Sequence, residues 1–145
     1  NELGLSKTKS SNLTATNIYL YKKNILNLDL KLKADLVFSI GLIEHFEPIE
    51  TAIAIKAHFD LLKPGSIAII SFPISTFLYK MTRKAIEAIG KWIFYDERPL
   101  TFDEVLATTS QYGKLLEKKI NWKIFLTQGI VVVKKNHVEN SLKIS

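Results

Sequence analysis

Two short apolar runs separated by one helical pattern organise the middle of the chain. Asp35 to Ile40 and Ile67 to Phe72 are nearly continuous in apolar residues and rich in Val, Ile and Phe. They are too short for buried helices, so both are expected to be strands buried on two faces. Between them Ala52, Ile55, Phe59 and Leu62 recur at helical spacing, with Lys56, Asp60 and Lys63 on another side. This predicts an amphipathic helix. Pro48 suits its first position, and Glu47 and Glu50 place negative charge where the helix dipole favours it. Lys63-Pro64-Gly65 predicts a turn that ends it. A connection of this length lets the strands lie side by side and parallel.

The flanking pattern is weaker on one side and clear on the other. Residues 1–16, rich in Ser, Thr, Asn and Lys, read as a loop or a frayed helix end. Asn17 to Lys22 alternates and predicts a short strand, and Leu26 to Lys33 a connection into the next one. Leu78, Met81, Ala85, Ala88, Ile89 and Trp92 recur at spacings of three and four, predicting an amphipathic helix over 76–92 with Lys80, Arg83, Lys84, Glu87 and Lys91 opposite. Thr101 and Glu104 form a capping box, with Leu100 and Val105 as a hydrophobic staple, for a helix that should stop at Gly113. Two strands follow, one within 116–124 and one over Ile130 to Val133, with a turn over 123–129; residues 137–145 are a polar tail.

Composition narrows the class. The 145 residues, 47% hydrophobic and 23% charged, suffice for one domain with a core. There is no cysteine, which excludes disulfides and thiolate metal sites, and no apolar run long enough to span a membrane. A cytoplasmic setting is the expectation. The net charge of +6 comes from lysines scattered along the sequence, so a solvated surface is favoured over a nucleic-acid site. The chain begins at Asn1 and its only methionine is Met81, which suggests a processed, cropped or partial product.

In order and spacing, ADLVFSIGLIEHF, a helix, LLKPGS and IAIISFP resemble the fourth through fifth strands of class I S-adenosylmethionine-dependent methyltransferases. The resemblance runs from about Asn17 to Lys135 and covers the second half of the usual domain. It implies an α/β, Rossmann-like methyltransferase sheet, mostly parallel with an antiparallel carboxyl-terminal hairpin, present as a single partial domain over 1–145. Residues 17–73 would form the strand-helix core, 74–100 a lid-like insertion, and 101–135 a helix and the hairpin. The cofactor implied is S-adenosyl-L-methionine. The activity implied is methyl transfer, in an intact parent protein, to an unidentified small-molecule or macromolecular acceptor.

The resemblance also implies site residues. Asn24 and Ile25 fall where the family contacts adenine, although Asn24 lacks the usual charge and a turn asparagine is an equal alternative. Ser39, Ile40 and Gly41 fall beside the methionine part of the cofactor, where Gly41 would permit close backbone approach. Glu44 and His45 fall at the edge of the transfer site: His45 could act as general base and Glu44 could orient it, or both could simply cap the following helix. Phe77, Tyr79, Trp92, Phe94 and Tyr95 are either pocket walls or core packing. Asp96, Glu97 and Arg98 could serve the acceptor site or form an internal ion pair. Gly41 stands where some relatives carry a metal-binding glutamate, so no metal is expected. His58 and His137 read as ordinary surface residues.

The family's glycine-rich cofactor loop is missing, since Gly4, Gly41, Gly65, Gly90, Gly113 and Gly129 are too far apart to form one. In the family sheet the strands that carry this part of the site lie between the third and fourth. Their loss would expose one edge of Asp35 to Ile40 and leave Asn17 to Lys22 without neighbours, so that the chain alone is expected to be poorly stable, self-associating, or completed by sequence outside the 145 residues. Two rivals therefore remain: a non-catalytic, truncated α/β interaction module, and a different doubly wound protein that shares only this grammar.

Overall fold

The computed structural model describes residues 19–91, 97–122 and 127–137. Its centre is a four-stranded sheet in the order β1-β2-β4-β3, with β1 Ala34–Ile40, β2 Leu62–Pro73, β3 Gly113–Asn121 and β4 Gln128–Lys135. β1 and β2 pair in parallel, whereas β2 with β4 and β4 with β3 are antiparallel. The expected mostly parallel sheet is thus corrected: among the described strands only the β1-β2 pair, joined by its crossover helix, is parallel. Tyr19 to Lys22, the described part of the strand expected over 17–22, is also not a strand. A strand needs a partner for its backbone groups, and none of the described strands lies beside it.

The crossover helix α1, Pro48–Asp60, begins at Pro48 as its composition demands, and Glu47 caps it without a side-chain bond. Its end is closed from a distance. Lys135 of β4 donates from Nζ to the carbonyls of Phe59 and Leu62 at 2.6 and 2.9 Å, satisfying acceptors that a helix terminus leaves open. Desolvation holds this ammonium below the usual lysine range. The expected Lys-Pro-Gly turn is instead part of β2. Ala34 pairs with Leu62 and Leu36 with Ile67, so residues 63–66 bulge from the ladder, with Gly65 at a φ of +78°. A bulge accommodates Pro64, which has no N–H to donate.

One face of the sheet carries the core. Ala68, Ile70 and Phe72 of β2 and Val131 and Val133 of β4 pack with Ala54, Ile55 and Phe59 of α1 and with Val105 of α3, Phe102–Thr109. Thr101 Oγ1 accepts from the Glu104 N–H at 3.2 Å, and Leu100 and Val105 are both buried. The other face is open. Leu36, Phe38 and Ile40 of β1 are 50, 66 and 73% exposed. The expectation that β1 is buried on both faces fails because no described element covers that side.

Helix α2, Phe77–Ala88, also departs from its pattern. Thr76 caps it, accepting from the Tyr79 N–H at 3.1 Å. The apolar stripe of Leu78, Met81 and Ile89 is exposed, while Tyr79 is fully buried. Trp92, Phe94, Tyr95 and Asp96 lie outside the described residues, as does most of the β3-β4 turn. No helix among the described residues is long and apolar enough to cross a membrane.

Candidate functional site

β1 ends in Ser39 and Ile40, Gly41 follows it, and the chain then turns through a single 3₁₀ turn, Ile43–His45. Gly41 donates its N–H to Ser71 of β2 at 3.0 Å, continuing the parallel ladder for one more residue. Its φ is +64°, and a Cβ built there would lie 3.2 Å from Glu44 Oε1. Both facts favour glycine: the conformation is one that side chains resist, and the space is already used by the carboxylate. Glu44 is only 2% exposed, and its Oε1 lies 3.9 Å from His45 Nε2, while His45 reaches partly into solvent. Glu44 and His45 are therefore brought together at the end of β1. Neither caps α1, whose N-cap is Glu47.

Three residues hold this turn that the sequence reading did not assign to it. The Thr51 hydroxyl lies 3.1 Å from the carbonyls of both Ile43 and Phe46, and Arg98 Nη2 donates to it at 3.2 Å. Arg98 also donates twice to Glu104, at 2.8 and 3.1 Å, and its N–H bonds the Glu44 carbonyl at 3.0 Å. The hydrogen bond to Glu104 pushes the guanidinium pKa further up, so the clamp stays charged. The internal ion pair allowed for Arg98 exists, but with α3 as partner. Beyond it, Leu100 bridges to the end of β2 through its N–H to Pro73 and its carbonyl to Ser75. Residues 98–100 thus tie together the carboxyl ends of β1 and β2, the usual ligand-binding end of an open α/β sheet.

Ser39 points away from the open face. Its hydroxyl lies 2.8 Å from Nε2 of His58, whose Nδ1 lies 2.7 Å from the Ala54 carbonyl. A carbonyl only accepts, so Nδ1 carries the proton, Nε2 accepts, and Ser39 donates. His58 is 2% exposed, which corrects the surface role expected for it, and burial pushes its pKa down. A histidine at helical spacing between Ala54 and Phe59 on an apolar face was the available signal.

Asn24 and Ile25 are placed elsewhere. Asn24 Oδ1 accepts from the Leu26 N–H at 3.0 Å and opens a 3₁₀ turn, Ile25–Asn27. That turn lies over Ile53, Lys56 and Ala57 of α1, around a cavity of about 240 Å³. Ile40 and Ser39 instead border a groove of about 320 Å³ on the open face, with Leu36, Phe38, Ile69 and Ile130. Tyr79 is sealed in, and burial, with the Glu97 carboxylate nearby, pushes its phenol up to about 12. Phe77 is exposed. The described residues contain no cluster of three His, Asp or Glu side chains able to hold a metal.

The α/β fold is similar to that of several solved S-adenosylmethionine-dependent methyltransferases. The chain superposes with a TM-score of 0.70 on magnesium protoporphyrin IX methyltransferase from Synechocystis PCC 6803 with bound SAH, at 14% identity, covering 92% of this chain and 59% of that one. A methyltransferase from Methanosarcina mazei gives 0.69 at 14% identity, over 94% of this chain and 77% of the other. The N-methyltransferase NodS from Bradyrhizobium japonicum WM9, in complex with S-adenosyl-L-homocysteine, gives 0.55 at 10% identity, over 78 and 52%. The chain thus spans little more than half of the length of the Synechocystis and Bradyrhizobium enzymes. Comparison of the sequence with protein-family models and with curated proteins gives no match.

Proposed function

We propose that these residues form the carboxyl-terminal part of an S-adenosylmethionine-dependent methyltransferase whose intact form transfers a methyl group to an acceptor still to be identified. The observation that carries this reading is Gly41, in a positive-φ conformation where β1 gives way to the Glu44-His45 turn. A bare backbone at this point suits close approach by a cofactor. The fit is partial. Ser39 offers its backbone only, because its hydroxyl is held by His58. Among the described residues no acidic side chain borders the open groove to meet a ribose or an ammonium group.

In this reading Ser39, Ile40 and Gly41 lie along the methionine part of the cofactor, whereas Asn24 and Ile25, held in their own turn beside α1, keep the turn role and do not join that groove. When bound, the cofactor supplies an electrophilic methyl group. The chain's own contribution is to position the acceptor, and His45, with Glu44 behind it, takes the acceptor's proton. A second reading is a non-catalytic α/β interaction module, since the glycines of these 145 residues are too far apart to form the family's cofactor loop. Calorimetric titration of the complete gene product containing these residues with S-adenosylhomocysteine separates the two. Saturable binding, weakened at least about tenfold by Gly41→Val through the strain of φ +64°, supports the enzyme. A complete product that does not bind contradicts it.

A further inference from the structure

We propose that His58 is a positioning residue for the cofactor site, holding the end of β1 through the Ser39 hydroxyl only while its imidazole is neutral, so that cofactor affinity falls on acidification. The inference deepens the methyl-transfer reading and rests on it for the ligand alone. It starts from the way Ser39 is pinned. The backbone of Ser39 lies in register with Ile70 of β2, and its side chain leaves the sheet for α1, where the hydroxyl meets Nε2 of His58 at 2.8 Å. The ring is fixed in turn by α1, because Nδ1 donates to the Ala54 carbonyl at 2.7 Å. Two residues beyond Ser39 stands Gly41, whose N–H is held by Ser71 and whose bare backbone carries the proposed approach to the cofactor. His58 therefore acts on the site without touching it.

The sign of the effect follows from the hydrogens. A neutral ring with its proton on Nδ1 leaves Nε2 only as an acceptor, and the hydroxyl supplies the one proton between them. Protonation puts a second N–H on the ring. Ser39 must then accept, and its own O–H loses the partner it had, in a pair whose members are 2 and 9% exposed. Desolvation of the imidazolium adds a cost of the same sign. The charged groups on the surrounding elements are engaged with one another: Asp35 of β1 with Lys63 of β2, and Lys56 with Asp60 on α1. Glu104 of α3 is held by Arg98, while Lys33 and Lys135 donate to carbonyls at the end of α1. Beyond Gly41, Glu44 lies beside His45, so the titration of His45 has to be told apart from that of His58.

Imidazole and backbone-amide NMR of the complete gene product, followed downward from about pH 7.5, reads the link without any ligand. His58 should carry its proton on Nδ1 at the start, and the Gly41 amide should move with the titration of His58 as well as with that of His45. Ser39→Ala should abolish the first component and keep the second. A Gly41 amide that follows His45 alone, or a His58 that stays neutral until the chain unfolds, overturns the proposal. Calorimetric titration with S-adenosylhomocysteine over the same range reads the consequence. Affinity should weaken at least about threefold across the His58 titration. His58→Gln, which offers Ser39 an acceptor that does not titrate, should flatten this slope, whereas His58→Leu should bind weakly throughout. A slope retained in His58→Gln overturns the inference; no binding at any pH contradicts the methyl-transfer reading instead. The Ser39→Ala comparison decides the matter even where a His58 variant fails to fold.

Discussion

The two edges of this sheet are built differently. β3 carries Lys114, Glu117, Lys118 and Lys119, all exposed, and its register shifts between Leu115 and Glu117. Lys119 pairs with Glu117 at 3.3 Å, and Lys118 lies over the Phe102 ring. Charge and a bulge are the usual means of keeping an edge from pairing. β1 over Leu36 to Ile40 has only Ser39 as a polar side chain, and that one is turned inward to His58. β3 has the composition of an edge, and β1 over Leu36 to Ile40 has that of an interior strand. The same contrast separates the two faces, one packed under α1 and α3, the other bare at Phe38 and Ile40.

The largest expected effect tests the faces. Phe72→Ala removes a fully buried ring that meets Phe102 edge-on and should cost about 3–5 kcal/mol in urea unfolding. Phe38→Ala, measured at concentrations where the chain is monomeric, should cost no more than about 0.5 kcal/mol. Comparable losses would break the distinction. Next comes the clamp at the turn: Thr51→Val keeps the shape but removes the hydroxyl shared by Ile43, Phe46 and Arg98, and should cost about 1–3 kcal/mol.

The His58-Ser39 link predicts a pH dependence. Because burial lowers the folded pKa of His58, the unfolded chain binds the proton more readily. The stability it supports is therefore complete above about pH 6.5, the unfolded value, and declines as pH falls from there toward the folded pKa. Unfolding midpoints measured from pH 7.5 downward should fall in this window for the native chain and fall less for His58→Gln. Parallel curves would remove His58 from the account. The smallest effect sharpens the edges: replacing both Lys118 and Lys119 by Val should change stability by no more than about 0.5 kcal/mol, yet create concentration-dependent association through β3.

Local chemistry explains what was legible in the sequence. Pro48, the Thr101 cap and the apolar runs around Asp35 and Ile67 each specify their element through nearby residues, and α1, α3 and the parallel pair follow from them. What depends on distant neighbours was not legible. The periodicity of α2 marks an apolar stripe but not what it faces, and the stripe is exposed. Alternation over 17–22 marks a strand, but a strand exists only with a partner. His58 looked like a surface residue because its partner, Ser39, lies on another element. At the site, Gly41 and the Glu44-His45 pair could be read from the run IGLIEHF, whereas the Thr51-Arg98-Glu104 clamp joins three separate segments and left no local trace.

Amide hydrogen exchange along β1 tests the central contrast most directly. Amides of Val37, Ser39 and Gly41 face β2 and should be protected at every concentration, which provides an internal standard. The account predicts that Leu36, Phe38 and Ile40 exchange rapidly in these 145 residues and become protected in the complete gene product, while the outward amides of β3 stay fast in both. Rapid exchange at Leu36, Phe38 and Ile40 in the complete gene product as well, matching β3, would contradict it.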